Sequence, residues 1–71
     1  MGHSTPVTAP FLGVVTPLVT VGDRVLAGDV LASIEAMKME AAVTAPCAGT
    51  VRRVAVVAGS SVQGGDLLLE I

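Results

Sequence analysis

Thr8-Ala9-Pro10 recurs as Thr44-Ala45-Pro46, and the recurrence runs well beyond those three residues. At an offset of 36 positions Gly13 meets Gly49, Val15 meets Val51 and Val21 meets Val57. After one inserted residue the offset becomes 37, and Gly22, Val25, Gly28, Asp29, Leu31 and Ile34 find Gly59, Val62, Gly65, Asp66, Leu68 and Ile71. Self-similarity at a fixed period marks one structural unit used twice. A chain of 71 residues is one small domain with a modest core. The two copies must therefore be halves of a single pseudo-twofold fold.

Each copy opens with an extended Thr-Ala-Pro, turns at a glycine and continues through a valine-rich run. Gly22-Asp23, Gly28-Asp29, Gly59-Ser60-Ser61 and Gly64-Gly65-Asp66 read as turns, because Gly supplies positive φ and Asp bonds nearby backbone amides. Between them lie runs over 13–21, 30–34, 40–44, 50–57 and 67–71, whose lengths predict strands. Thirteen valines and a single aromatic, Phe11, favour pleated strands over helices. Pro17 has no amide to donate, so its strand should be an edge or carry a bulge there. The expectation is an all-β fold of two facing four-stranded antiparallel sheets, or a flattened barrel.

Several functions are disfavoured at once. Four cations against six anions leave a formal charge of −2 and no basic field to hold phosphates, so nucleic acid and anionic membrane surfaces are not expected partners. No apolar run approaches the roughly 18 residues of a membrane span. One cysteine, Cys47, fits a reducing compartment, cytoplasmic or, in a eukaryote, mitochondrial. Its repeat partner is Phe11, so it reads as a small apolar filler. His3 is the sole histidine and lies in residues 1–4, read as a tag remnant or disordered tail ahead of a domain over 5–71. Neither a nucleophilic triad nor a structural zinc site can be assembled from one Cys and one His. The chain is expected to catalyse nothing itself.

One stretch stands outside the repeat. Glu35-Ala36-Met37-Lys38-Met39-Glu40 joins the two copies and has no counterpart in the second. With strands on either side, Ala36 to Met39 becomes a tight hairpin turn that projects Lys38 from its tip. The turn contains no Gly, Asn or Asp, the residues that usually make such turns easy. Two long, polarizable methionines frame one amine as a soft apolar collar that an enzyme can grip. The plainer alternative is a surface lysine between two core methionines.

Glu35-Ala36-Met37-Lys38-Met39, with the flanking Gly-Asp turns and the Thr-Ala-Pro pair, resembles the acceptor motif of the biotinyl domains, the biotin carboxyl carrier family. The resemblance covers nearly the whole chain. It implies a flattened barrel of two four-stranded sheets and a biotin joined through an amide to the hairpin lysine, here Lys38. It also implies a biotin protein ligase that makes the amide, and biotin carboxylase and carboxyltransferase domains between which carboxybiotin is carried. A lysine amine attacks an acyl carbonyl only after losing its proton, so the ligase has to assist. Ala36 permits close approach, Met37 and Met39 seat the hairpin in partners, and Glu35 or Glu40 orients it, unless both glutamates are simply solvated. Some members insert a protruding thumb in the first half; here 13–21 passes straight into Gly22-Asp23, leaving no room for one. Ala9-Pro10-Phe11 and the thumbless first half look most like the C-terminal carrier segment of a multidomain carboxylase. Pyruvate carboxylases come first and an acyl-CoA carboxylase biotin subunit is the near alternative. The ending at Leu67-Leu68-Leu69-Glu70-Ile71 fits a domain cut at its natural limit, expected to be monomeric.

Two other classes compete. A lipoyl carrier domain shares the fold but usually sets Asp before and Ala after its lysine, where this chain has Met37 and Met39. A noncatalytic adaptor barrel would carry nothing on the lysine and would be flanked by an export signal or a long helical hairpin.

Overall fold

Four tight turns with one chemistry organise the chain. They span 20–23, 26–29, 57–60 and 63–66, and the third residue of each is a glycine, with φ of 99° at Gly22, 91° at Gly28, 88° at Gly59 and 91° at Gly65. In each, the backbone N–H of the fourth residue donates to the carbonyl of the first, at 3.0 to 3.1 Å. Positive φ at the third position is the type II requirement that glycine meets without strain. The fourth side chain then closes the turn from outside: Asp23, Asp29 and Asp66 accept through a carboxylate oxygen, and Ser60 through its hydroxyl, from the N–H of the first residue at 2.8 to 3.0 Å. The Gly-Asp and Gly-Ser pairs seen in the sequence are thus self-capping turns.

The computed structural model describes residues 4–71. The tail reading for Met1, Gly2 and His3 lies outside the described residues. Nine strands follow: β1 (Pro6–Thr8), β2 (Gly13–Pro17), β3 (Arg24–Val25), β4 (Val30–Ala36), β5 (Met39–Thr44), β6 (Gly49–Thr50), β7 (Arg53–Val54), β8 (Ser60–Val62) and β9 (Leu67–Glu70). One antiparallel sheet has the order β5-β4-β2-β8; the rest form a three-stranded piece, β1-β9-β7, and a two-stranded piece, β3-β6. The registers show the two pieces to be one sheet interrupted. Pro17 opposite Ala32 is matched by Val54 opposite Leu69, and Gly13 opposite Val62 by Gly49 opposite Val25. Hence β6 and β7 together are the counterpart of β2.

The interruption has a cause in the sequence. Val51 answers Val15 at an offset of 36 whereas Val54 answers Pro17 at 37, so the extra residue of the second copy falls at Arg52-Arg53. Both arginines are exposed in succession, which breaks strand alternation in the manner of a β-bulge. The expected strand over 50–57 is therefore split, and Val21 corresponds structurally to Ala58, not to Val57. The expected strand over 13–21 also stops early, at Pro17. Leu18 donates to the Leu31 carbonyl at 2.9 Å, so by alternation the nitrogen of Pro17 faces the other way, beyond the last β8 partner of β2. A residue without an N–H is tolerated there although β2 is an inner strand.

The halves are interlocked. The Gly22 N–H donates to the Val51 carbonyl at 2.8 Å, and its equivalent Gly59 donates to Val15 at 2.9 Å. Gly28 with Ala45 and Gly65 with Ala9 form a second equivalent pair, both at 2.9 Å. Each half thus holds strands of the other by its turns. The core follows the same symmetry: Val15, Leu31, Ile34, Val51, Leu68 and Leu69 are the largest fully buried side chains. Burying an aliphatic side chain of this size is worth about 1.5–3 kcal/mol, and this core is entirely aliphatic. No closed barrel forms among the described residues. Thr5 and Ile71 exchange backbone hydrogen bonds of 2.7 and 2.9 Å, in the place that Ile34 and Ala41 occupy in the other sheet. The pseudo-twofold axis therefore sets the β4–β5 hairpin at the opposite end of the domain from Thr5 and Ile71.

Candidate functional site

The β4–β5 ladder runs up to the pair Ala36–Met39, so the loop contains only Met37 and Lys38. It is tighter than the 36–39 turn expected from the sequence. A two-residue hairpin loop needs positive φ at its first central residue, a position where Gly, Asn or Asp is usual. Here Met37 takes it, with φ of 54°, and is the one non-glycine residue with positive φ among the described residues. Such a conformation costs about 1–3 kcal/mol and persists where the surroundings over-determine it. The six cross-strand pairs of the ladder below do so.

This backbone carries the flanking side chains outward. Met37 is 98% exposed and Met39 59%, so the alternative of two core methionines around a surface lysine does not hold. Lys38 is exposed between them, Glu35 is exposed, and Ala36 is half-buried at the base of the loop. Cys47 lies half-buried far along the chain, its Sγ 3.9 Å from the Thr5 hydroxyl oxygen. It takes no part in this end of the molecule.

Residues of β2 and β8 complete the surroundings, and these were not evident from the motif. Gly13 has no positive φ, yet a Cβ there would lie 2.5 Å from the Glu35 carbonyl oxygen and 3.1 Å from Ile34 Cγ1. Its absence lets β2 press against β4 just before the loop. The turn expected at the glycine after Thr-Ala-Pro does not form: Gly13 and its repeat partner Gly49 each open a strand, and their recurrence marks this close approach instead. On the outward face a row crosses the whole sheet, from Ser61 through Val14 and Glu35 to Glu40. Beside the loop this face carries a shallow depression of about 300 Å³, whose lining includes Leu12, Val14, Glu35, Met37 and Ser61. Leu12 is 66% exposed and Val14 44%, an apolar surface continuous with Met37.

An exposed primary amine on a two-residue loop, with a methyl side chain beneath it, suits acylation by a bulky partner and the display of whatever is attached. The architecture defines a carrier: two interlocked sheets hold one lysine at an end. A family model described as biotin-requiring enzyme matches residues 3–71, and the chain belongs to that family. Pyruvate carboxylase of Bacillus subtilis is 50% identical over 58 residues, covering 82% of this chain and 5% of that protein. The biotinylated protein TB7.3 homolog of Mycobacterium leprae is 46% identical over 54 residues, 76% of each chain. The solved structure of a single-chain, multi-domain long-chain acyl-CoA carboxylase superposes with a TM-score of 0.89 at 36% identity, over 94% of this chain and 7% of that one. This chain thus spans a small fraction of the pyruvate carboxylase and most of the mycobacterial protein.

Proposed function

We propose that Lys38 is the residue that carries biotin, joined through an amide to its Nζ by a biotin protein ligase. The observation that carries this reading is the two-residue loop, in which Met37 accepts positive φ and leaves Lys38 exposed between two exposed methionines. In the ligation the Lys38 ammonium first gives up a proton, the neutral amine attacks the carbonyl of an acyl-activated biotin, and the N–C bond forms as the activating group leaves and a second proton is lost from nitrogen. The formal charge of the chain then falls from −2 to −3. Ala36 clears space below the attacking amine. Met37 and Met39 offer apolar contact to each enzyme that grips the loop, and Glu35 beside them orients it.

Biotin, when attached, supplies a ureido nitrogen able to bear a carboxyl group. The chain supplies position and no catalysis: an amine at the end of a stiff, interlocked sheet pair. Tethering turns each encounter with a biotin carboxylase or carboxyltransferase site into an intramolecular one, at an effective concentration of roughly millimolar. The domain spans residues 5–71 and acts within a pyruvate carboxylase, the reading favoured by the 50% identity to the Bacillus enzyme, in the cytoplasm or the mitochondrial matrix. The likeness to the acyl-CoA carboxylase makes that acceptor class the second reading. Incubation with biotin, ATP and biotin protein ligase, followed by intact-mass analysis, tests the attachment. One biotinyl group on the wild type and none on Lys38→Arg is the expected result. Labelling elsewhere in that variant, or modification by lipoate ligase alone, overturns it.

A further inference from the structure

We infer that the depression beside the loop is a resting berth for the biotin ring system carried by Lys38, so that the arm folds back onto the outer sheet face between transfers. The inference rests on the attachment proposed above and joins Leu12, Val14 and Ser61, which lie outside the acceptor motif, to Glu35 and Met37 within it. Leu12 and Val14, 66% and 44% exposed, are among several exposed aliphatic side chains of the domain, and they are the ones that line the depression beside the loop of Lys38. They lie with Met37 around a depression of about 300 Å³, a volume suited to a small bicyclic ring.

The polar groups are few and complementary. Val14 sits between Ser61 on β8 and Glu35 on β4 in the cross-strand row, so Ser61 and Glu35 flank an apolar floor at two strand spacings, roughly 10 Å apart. A ureido group has two N–H donors and one carbonyl acceptor. The Glu35 carboxylate accepts from an N–H, and the Ser61 hydroxyl donates to the carbonyl oxygen. Leu12, Val14 and Met37 meet the apolar sulfur ring. Reach is ample, since Glu35 is three residues from Lys38, roughly 10 Å along a strand. The lysyl and valeryl chain together span about eleven bonds, roughly 14 Å when extended.

The test compares apo and fully biotinylated full-length chain, the latter verified by intact mass before any other measurement. Methyl NMR on the biotinylated protein should show shifts at Leu12 and Val14 and nuclear Overhauser contacts between those methyls and biotin ring protons. A docked ring must leave its berth before capture, so the association rate with streptavidin scales with the undocked fraction. Leu12→Ser, an exposed position in a loop, should raise that rate by about two- to fivefold with the circular dichroism spectrum unchanged. Shifts confined to residues 36–39, together with equal capture rates for wild type and Leu12→Ser, overturn the berth. Failure of the attachment itself is distinguishable, because no biotinylated mass would then be obtained.

Discussion

Glu35 and Glu40 stand directly opposite each other across the β4–β5 ladder, both exposed, one pair below the loop that holds Lys38. Like charges placed opposite in an antiparallel pair repel, so this ladder carries a small destabilising term next to its most strained turn. Replacing either residue with Gln should raise stability by a few tenths of a kcal/mol, read as a higher urea midpoint. The gain should fade at about 1 M salt, where the screening length is only about 3 Å. A midpoint that falls on substitution would show that the carboxylates are not in conflict.

Met37 pays the conformational cost of the loop, and glycine would not. Met37→Gly should stabilise the chain by roughly 0.5–1 kcal/mol, the left-handed penalty of about 1–2 kcal/mol less the entropy glycine adds to the unfolded state. Met37→Val should destabilise it. The check is chemical denaturation of the three proteins side by side; equal midpoints would remove the strain argument.

The two matched glycines outside turns should respond differently to alanine. At Gly13 the added Cβ meets the Glu35 carbonyl oxygen, which is backbone in an inner strand, whereas at Gly49 it meets Ile71 Cγ2, a side-chain atom on the last residue. Gly13→Ala should therefore cost about 1–3 kcal/mol, as overpacking does, and Gly49→Ala distinctly less. Thermal melts compare them directly. Amide chemical shifts from 35 to 40 should move in the first variant and not in the second.

Interlocking makes the halves inseparable. Because Gly22 is bonded to Val51 and Gly59 to Val15, each half alone loses these bonds between its turns and the other half and keeps only the bonds inside the turns. Peptides covering 4–36 and 38–71 should each lack sheet signal in circular dichroism, while the whole chain unfolds in one transition. A folded isolated half would refute the interlock as a source of stability.

The parts legible beforehand are those in which a few neighbouring residues decide the outcome. Glycines followed by Asp or Ser specify self-capping turns through their own φ freedom and side-chain oxygens. The span between the copies specifies a hairpin, and a turn written without Gly, Asn or Asp marks Lys38 as displayed. Identity alone pairs Val21 with Val57, since matching identical valines cannot detect that consecutive exposed arginines, Arg52 and Arg53, absorb the slip. Only pairing of β7 with β9 reveals it.

Local chemistry and internal repetition were thus enough for an all-β chain of two similar halves with one presented lysine. Register decided the rest. Ser61, Val14, Glu35 and Glu40 are scattered along the chain and become neighbours only when β8, β2, β4 and β5 align, and a slip of one residue would turn Val14 into the core. The apolar surface beside Lys38 and the collar of outward-facing methionines are therefore tertiary facts. They depend on which strands meet and at what offset, and no short stretch of residues contains that information.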